Sequence, residues 1–543
     1  MEQQRNILFI LFLTLTLFIY WGWERDKITM EQQAQMHAQR IEQVAAAEST
    51  KGSVGKLITL SNDTLKLSIS SIGGDVVDAK LLKVMQELNK DDPFHLLMND
   101  PLFVYMSQSG LIGANGPDSK ARPTYTSSAN SYEMKEGEDS VSAVLQFSQN
   151  GVDYTKTYTL KRGSYVVDVK YDVVNNTDKP LSMAFYGQLK QTVDASLQEQ
   201  PGGAMMVAGA YRGTAYSTAE TRYEKNTLQD LVDLSLEKAP INVKTTGGWV
   251  AMIQHYFVSA WIGDTTEGVQ NASKDGSEAI IGIRTEPTTI DAHSSHEFKS
   301  SMWVGPKSQD EMEKVAPNLD LTVDYGWLWF ISIPLFKILE FIHSFVGNWG
   351  FSIIILTLIV RGVLFPLTKS QYTSMAKMRL LAPKMQDLRE RFGDDRQKLG
   401  QETMRLYKNE KVNPLGGCFP LLIQMPIFIA LYWTLMESTE LRHAPFILWI
   451  DDLSVHDPYF VTPILYGISM YFIQKMSPTP TTDPLQKKIF MAMPLVFTFM
   501  FCTFPAGLTV YWLISNIFTI FQQMIIYRSL EKKGLHVKNV PTK

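Results

Sequence analysis

Six apolar runs, at residues 6–23, 350–368, 419–437, 460–476, 489–503 and 508–527, constrain this chain more than anything else in it. Inside hydrocarbon a backbone has no water to bond, so runs of this kind call for helices. One of them contains the stretch IILTLIVRGVLFPLT, residues 354–368, with Arg361 in the middle. An arginine at the centre of a membrane helix costs roughly 2.5–3.5 kcal/mol on insertion scales, which makes Arg361 a functional candidate.

Charge divides the chain the same way. Residues 24–324 hold 28 Lys+Arg against 40 Asp+Glu, a net of −12; residues 325–543 hold 22 against 14, a net of +8. The basic residues flank apolar runs and form no separate basic domain, so nothing points to nucleic acid. The two cysteines, Cys418 and Cys502, fall at or inside expected spans. Disulfides therefore play no part in the acidic region.

The run from Asn6 to Trp23 ends in WGWERDK, with no small-residue cleavage site, and reads as an uncleaved anchor over 1–24. A Gln/Ala/Glu-rich linker follows over 25–55. Residues 56–324 carry strand patterns. In YVVDVKYDVV (165–174), Val167, Val169, Tyr171 and Val173 alternate with polar residues, and YTKTYTL joins through KRGS to make a hairpin. An antiparallel β-sandwich is the expected fold.

YGWLWFISIPLFKILEFIHSF (325–345) is long enough to span, but Lys337, Glu340 and Ser344 share a helical face with His343 beside them. We expect an interfacial helix over 325–346. Between the spans at 350–368 and 419–437, residues 369–418 hold eleven Lys or Arg and six Asp or Glu. This stretch reads as two helices broken at Gly393–Asp395. Met375, Met378, Leu381, Met385 and Leu388 give the first an apolar stripe, to pack on the second helix or to dock a partner.

The charged hairpin, Lys487, Lys488 and the basic tail at 531–543 all fall on one side, whereas the loop 438–459 has Arg442 as its only Lys or Arg. The positive-inside rule then makes hairpin and both termini cytoplasmic and the β-domain external. Six spans close that parity; a seventh at 325–345 would break it. Snorkelling to headgroups would account for an isolated Arg361 near an interface. Yet Trp512, Ser515 or Asn516, Thr519 and Gln522 or Gln523 form a polar stripe, Thr357 lies one turn before Arg361, and Gln424 enters at similar depth. Apart from Glu437, the last residue of its span and at the opposite end from Arg361, no Asp or Glu stands within a span to neutralise Arg361, which suggests a wet cavity whose counter-ion comes from outside.

These residues occur in LTLIVRGVLFPLT, NPLGGCFPLLIQMPIFIALYWTL (413–435) and FPAGLTVYWLISNIFTIFQQ (504–523), in that order around the charged hairpin. The set resembles the YidC-type membrane protein insertases, relatives of the mitochondrial and chloroplast insertases, over about 325–530. The anchor and β-domain match the Gram-negative form. The resemblance implies a polytopic α-helical membrane protein, with a five-helix insertase core at 347–530 and a large all-β periplasmic sandwich similar to sugar mutarotases. It implies a hydrophilic groove open to the cytoplasm and to lipid, closed on the outer side. Arg361 would be its cation, with Thr357 on the same helix, Tyr511 and Trp512 meeting the substrate, and Gln424 and Asn516 lining the polar surface. Implied partners are nascent membrane proteins, the ribosome through hairpin and tail, the Sec translocon, the signal-recognition-particle receptor and the bilayer. No enzyme activity, cofactor or metal is implied, and no GxxxxGK[ST] loop occurs. Two other readings are a solute transporter, which would want an internal repeat, broken helices or a fixed ion-binding carboxylate at mid-depth, and a surface carbohydrate-active domain using His255, His293 and His296.

Overall fold

The computed structural model describes residues 55–100, 103–193, 211–228, 241–263, 267–275, 278–392, 395–410, 415–476 and 484–532. They form two compact units, divided between Val323 and Asp324. The expected anchor, the linker as far as residue 54, and the tail beyond Lys532 lie outside the described residues.

Period-two alternation builds the first unit. In the strand Val166–Asn175 the inward residues Val167, Val169, Tyr171 and Val173 are all buried. It pairs antiparallel with Val152–Lys161, Val169 opposite Tyr158. Gly163, at φ +69°, lies in the turn between them, where a side chain would be strained. Two sheets result, of eleven and nine strands. Among the described residues the one parallel pairing sets Thr59–Ser61 beside Ser131–Glu133. The sheets face each other: Trp261 Nε1 donates to Ser107 Oγ at 3.0 Å, and the Tyr105 hydroxyl to the Met252 carbonyl at 3.4 Å. Trp261, Tyr105 and Phe185 help fill the space between, whereas Trp249 and Trp303, out of phase with Trp261 in the register, are buried on the other face of the nine-stranded sheet.

Lys156 violates this pattern. It sits on the buried face of its strand with Tyr154, Tyr158 and Leu160 and is itself fully buried. Its ammonium donates to the carbonyls of Gly73, Gly74 and Ser109 at 3.2, 2.8 and 3.2 Å. It also lies 5.1 and 5.0 Å from the ring centres of Tyr158 and Tyr171. Burial pulls its pKa down to about 7 against the opposing pull of Asp75. Arg122, alongside, is ion-paired with both Asp75 and Asp118.

A short helix, α1 (Gln309–Val315), lies near the end of the first unit. The second unit contains α2 (Trp329–Val346), α3 (Trp349–Val363), α4 (Phe365–Leu380), α5 (Ala382–Phe392), α6 (Arg396–Asn409), α7 (Leu415–Glu437), α8 (Val461–Met476), α9 (Pro484–Phe501) and α10 (Ala506–Lys532). By length and composition Gly326–Val346 and Ala506–Lys532 can cross a membrane, and so can Trp349–Val363 taken with Phe365–Met378. Ile423–Glu437 and Met491–Phe501 are shorter apolar stretches. On α2 the buried stripe is Ser332, Leu335, Phe336, Leu339 and Ile342, while Phe330, Phe341 and Phe345 are exposed.

Two local expectations differ from what forms. The stretch 350–368 is not one straight helix: α3 and α4 meet at Leu364 with a bend of 61°. Pro366 causes it, since its ring has no N–H and clashes with the carbonyl four residues back. The polar stretch after it holds more than two helices. α4 continues from the apolar region to Leu380, and α5 starts only after Leu381, with Pro383 in its first turn. Of the apolar stripe expected to pack on the hairpin's second helix or to dock a partner, Met375 lies against α10, beside Tyr372 and Ala376, which pack on Ile526, Tyr527 and Leu530.

Candidate functional site

Arg361 occupies the last turn of α3, just before the bend. Its guanidinium reaches one side chain, Ser515 of α10, to which Nε donates at 2.8 Å and Nη2 donates as well. No carboxylate among the described residues is ion-paired with it. At the other end of the same residue, the Arg361 carbonyl accepts from Gln522 Nε2 at 3.1 Å. Ser515 and Gln522 are seven residues, two turns, apart on one face of α10. In a straight helix that carbonyl would accept from the amide of Phe365, the residue at which α4 begins beyond the bend.

The other residues expected at the site fall into separate groups. Thr357 is fully buried and donates to Ile353 of its own helix at 2.6 Å. Asn516 turns toward α8 and donates to Ser469 Oγ at 3.0 Å. Thr509, two turns earlier on α10, meets Thr462 of α8 at 3.0 Å. Gln424 of α7 lies 3.5 Å from Thr368 Oγ1, which is on α4 and past the bend. So α10 distributes its polar stripe, with Ser515 and Gln522 to α3 and Thr509 and Asn516 to α8.

Trp512 lies in an aromatic cluster. It is stacked on Phe428 at 5.1 Å, is edge-on to Phe501 at 3.8 Å, and has Phe504 and Tyr466 at 5.8 and 6.0 Å. Tyr511 is 6.3 Å from the same Phe428. The Trp512 indole nitrogen and Gln522 Oε1 are buried without a hydrogen-bond partner among the described residues. The cluster joins the loop residues 438–460, where Asp457 is buried and accepts from Thr462 N and Oγ1, both at 2.8 Å, Trp449 Nε1 at 2.9 Å and Tyr459 N at 3.0 Å.

Ser515 was one of two alternatives in the stripe reading, as was Gln522. Spacing could not choose between neighbours, because either one of a pair can face a given helix. Thr368 and Ser469 had no signal of their own. In the β-unit, His293 pairs with Asp178 at 2.9 Å, both exposed, and His255 stacks on Tyr256. These histidines do not converge, and among the described residues no group of His, Cys, Asp and Glu is arranged to hold a metal ion.

Comparison with known proteins gives two family matches. Residues 341–533 match the family described as 60Kd inner membrane protein, and residues 57–338 the family described as YidC periplasmic domain. A relative from Aeromonas hydrophila, named membrane protein insertase YidC, is 52% identical over 99% of this chain and 100% of its own length. One of the same name from Tolumonas auensis is 51% identical over 99% of each. A solved structure titled active YidC insertase, with its first transmembrane domain resolved, aligns at a TM-score of 0.38 and 18% identity over 88% of this chain and 93% of its own.

Proposed function

The chain belongs to the YidC family of membrane protein insertases, and from that premise we propose that Arg361 serves hydrophilic segments of nascent membrane proteins as they enter the membrane. The observation that carries this is a cation in an apolar helix whose one side-chain hydrogen-bond partner among the described residues is the neutral Ser515. A charge left without a fixed counter-ion is costly unless its partner arrives with the substrate. A substrate carboxylate at about 4 Å would gain about 1 kcal/mol in water and about 4 kcal/mol at an effective dielectric constant of about 20. The buried Trp512 N–H and Gln522 Oε1 offer a donor and an acceptor to an extended backbone.

In this reading Thr357, Gln424, Tyr511, Trp512 and Asn516 line a groove open to the cytoplasm, and the aromatic cluster with the 438–460 loop closes its outer end. The substrate's apolar helix then leaves sideways into lipid, driven by burial at about 25 cal/mol per Å². Six spans comprise the N-terminal run, the bent pair α3–α4, α7, α8, α9 and α10, with α2 in the interface. The β-unit is periplasmic and both termini are cytoplasmic, as the charge distribution requires. The hairpin receives substrate and, with the basic tail, meets the ribosome; the Sec translocon and the signal-recognition-particle receptor are further partners.

Photocrosslinking tests this. A photoreactive residue at Thr357 or Trp512 should capture the nascent span of a stalled two-span substrate. One at Phe521, which is 55% exposed on the apolar surface, should capture lipid instead. Silence at both groove positions in a folded protein would return Arg361 to snorkelling and reopen the transporter reading.

A further inference from the structure

Arg361 is held at two points by one helix, and the two contacts differ in kind. Gln522 binds its main chain, at a carbonyl near the bend before Pro366. Ser515 binds its guanidinium, through Nε and Nη2. Gln522 is 2% exposed and Ser515 3%, so neither is a surface contact that solvent would replace. The α3–α4 bend also leaves Gly362 in open space, with no atom within 4 Å of where its Cβ would be.

We propose that Ser515 and Gln522 are positioning residues for Arg361: Gln522 clamps the main chain at the helix break, and Ser515 holds the guanidinium until a substrate carboxylate displaces it. This rests on the reading of Arg361 as the substrate-facing cation. The exchange is one-sided by chemistry. A hydroxyl bonded to an arginine is a weaker partner than a carboxylate, whose two oxygens match the guanidinium fork. A serine therefore keeps the cation oriented without competing for it. An aspartate there would satisfy it permanently. Leu364 bonds Val360 on one side of the break and Thr368 on the other, at 3.1 and 3.0 Å, while Pro366 can give no amide to the ladder; Gln522 adds a restraint from a second helix, and a change of angle would move Arg361 with it.

The test uses the full chain in proteoliposomes and two substrates that differ only in Asp or Asn within the translocated segment. S515A should weaken the preference for the acidic substrate without removing it. S515D should abolish that preference while leaving the neutral substrate inserted as before. Q522L should lower acidic-substrate insertion about tenfold, the size of one hydrogen bond, and add nothing in an R361A background. Spin labels at Ile359 and Lys369, on either side of the break, read the clamp directly: Q522L should broaden their distance distribution and S515D should not. An S515D chain that keeps its acidic preference overturns the Ser515 role. Equal loss on both substrates, or additive loss with R361A, overturns the positioning role of Gln522, and an unchanged distance distribution in Q522L overturns the clamp. A wild-type chain with no acidic preference would defeat the reading of Arg361 itself, while the distance measurement would still decide the clamp.

Discussion

Replacing Asp457 with alanine should loosen the loop that closes one end of the helical unit. The buried carboxylate gathers four donors, from Thr462 N and Oγ1, Trp449 Nε1 and Tyr459 N. Of these, Tyr459 is exposed and Trp449 half-buried, so their N–H groups can reach water once the carboxylate is gone. The Thr462 hydroxyl can turn to Thr509, 3.0 Å away. The Thr462 amide, buried at the start of α8, has no substitute. One to two hydrogen bonds to a charged acceptor, at about 1.5–3 kcal/mol each, put the loss near 3 kcal/mol. At about 1.4 kcal/mol per tenfold, the open population of the loop should rise roughly 100-fold. In a cysteine-free background, a cysteine at Thr509 should then react with a membrane-impermeant maleimide about 100-fold faster in D457A. Labelling that stays at the wild-type rate would refute the pinning role. The pH dependence has a definite sign. Burial raises the Asp457 pKa, but the bonds from Thr462, Tyr459 and Trp449 outweigh it and hold it below 3.8. Its stabilisation is therefore present above the unfolded value and lost as pH falls through the lower folded one.

Three more outcomes are expected. Lys156 has a folded pKa near 7 against 10.5 unfolded, so the unfolded chain binds more protons between these values and the β-unit should gain stability as pH rises through that window; thermal melts of K156M should lose that slope. A Cβ on Gly467 of α8 would collide with Thr498 Oγ1 of α9, so G467A should destabilise by about 1–3 kcal/mol, with partial recovery in G467A/T498A, read by melting in detergent. R361A should reduce insertion of substrates with an acidic translocated segment by about fivefold or more per carboxylate and spare neutral ones, measured by protease protection.

What the sequence determined by itself was whatever depends on spacing along one element. Alternation along 166–175 placed Val167, Val169, Tyr171 and Val173 inward, and each is buried. Apolar runs marked α7 to α10, and ordered motifs identified the family before any coordinates were known. Spacing also found the polar stripe of α10, but only as pairs of neighbours. Which of Ser515 and Asn516 meets Arg361 depends on how α10 is rotated between α3 and α8, and that rotation is set by packing such as Trp512 on Phe428 and Phe501. Lys156 was illegible for a related reason. Its strand pattern puts it on the core face, but the three carbonyls that accept its protons come from residues 73, 74 and 109, far off in the chain. Pro366 signals a break, whereas the side-chain donor to the nearby Arg361 carbonyl stands 161 residues away, at Gln522. Local periodicity decides which face of an element is apolar; only the assembled neighbours decide which polar atom on that face finds which partner.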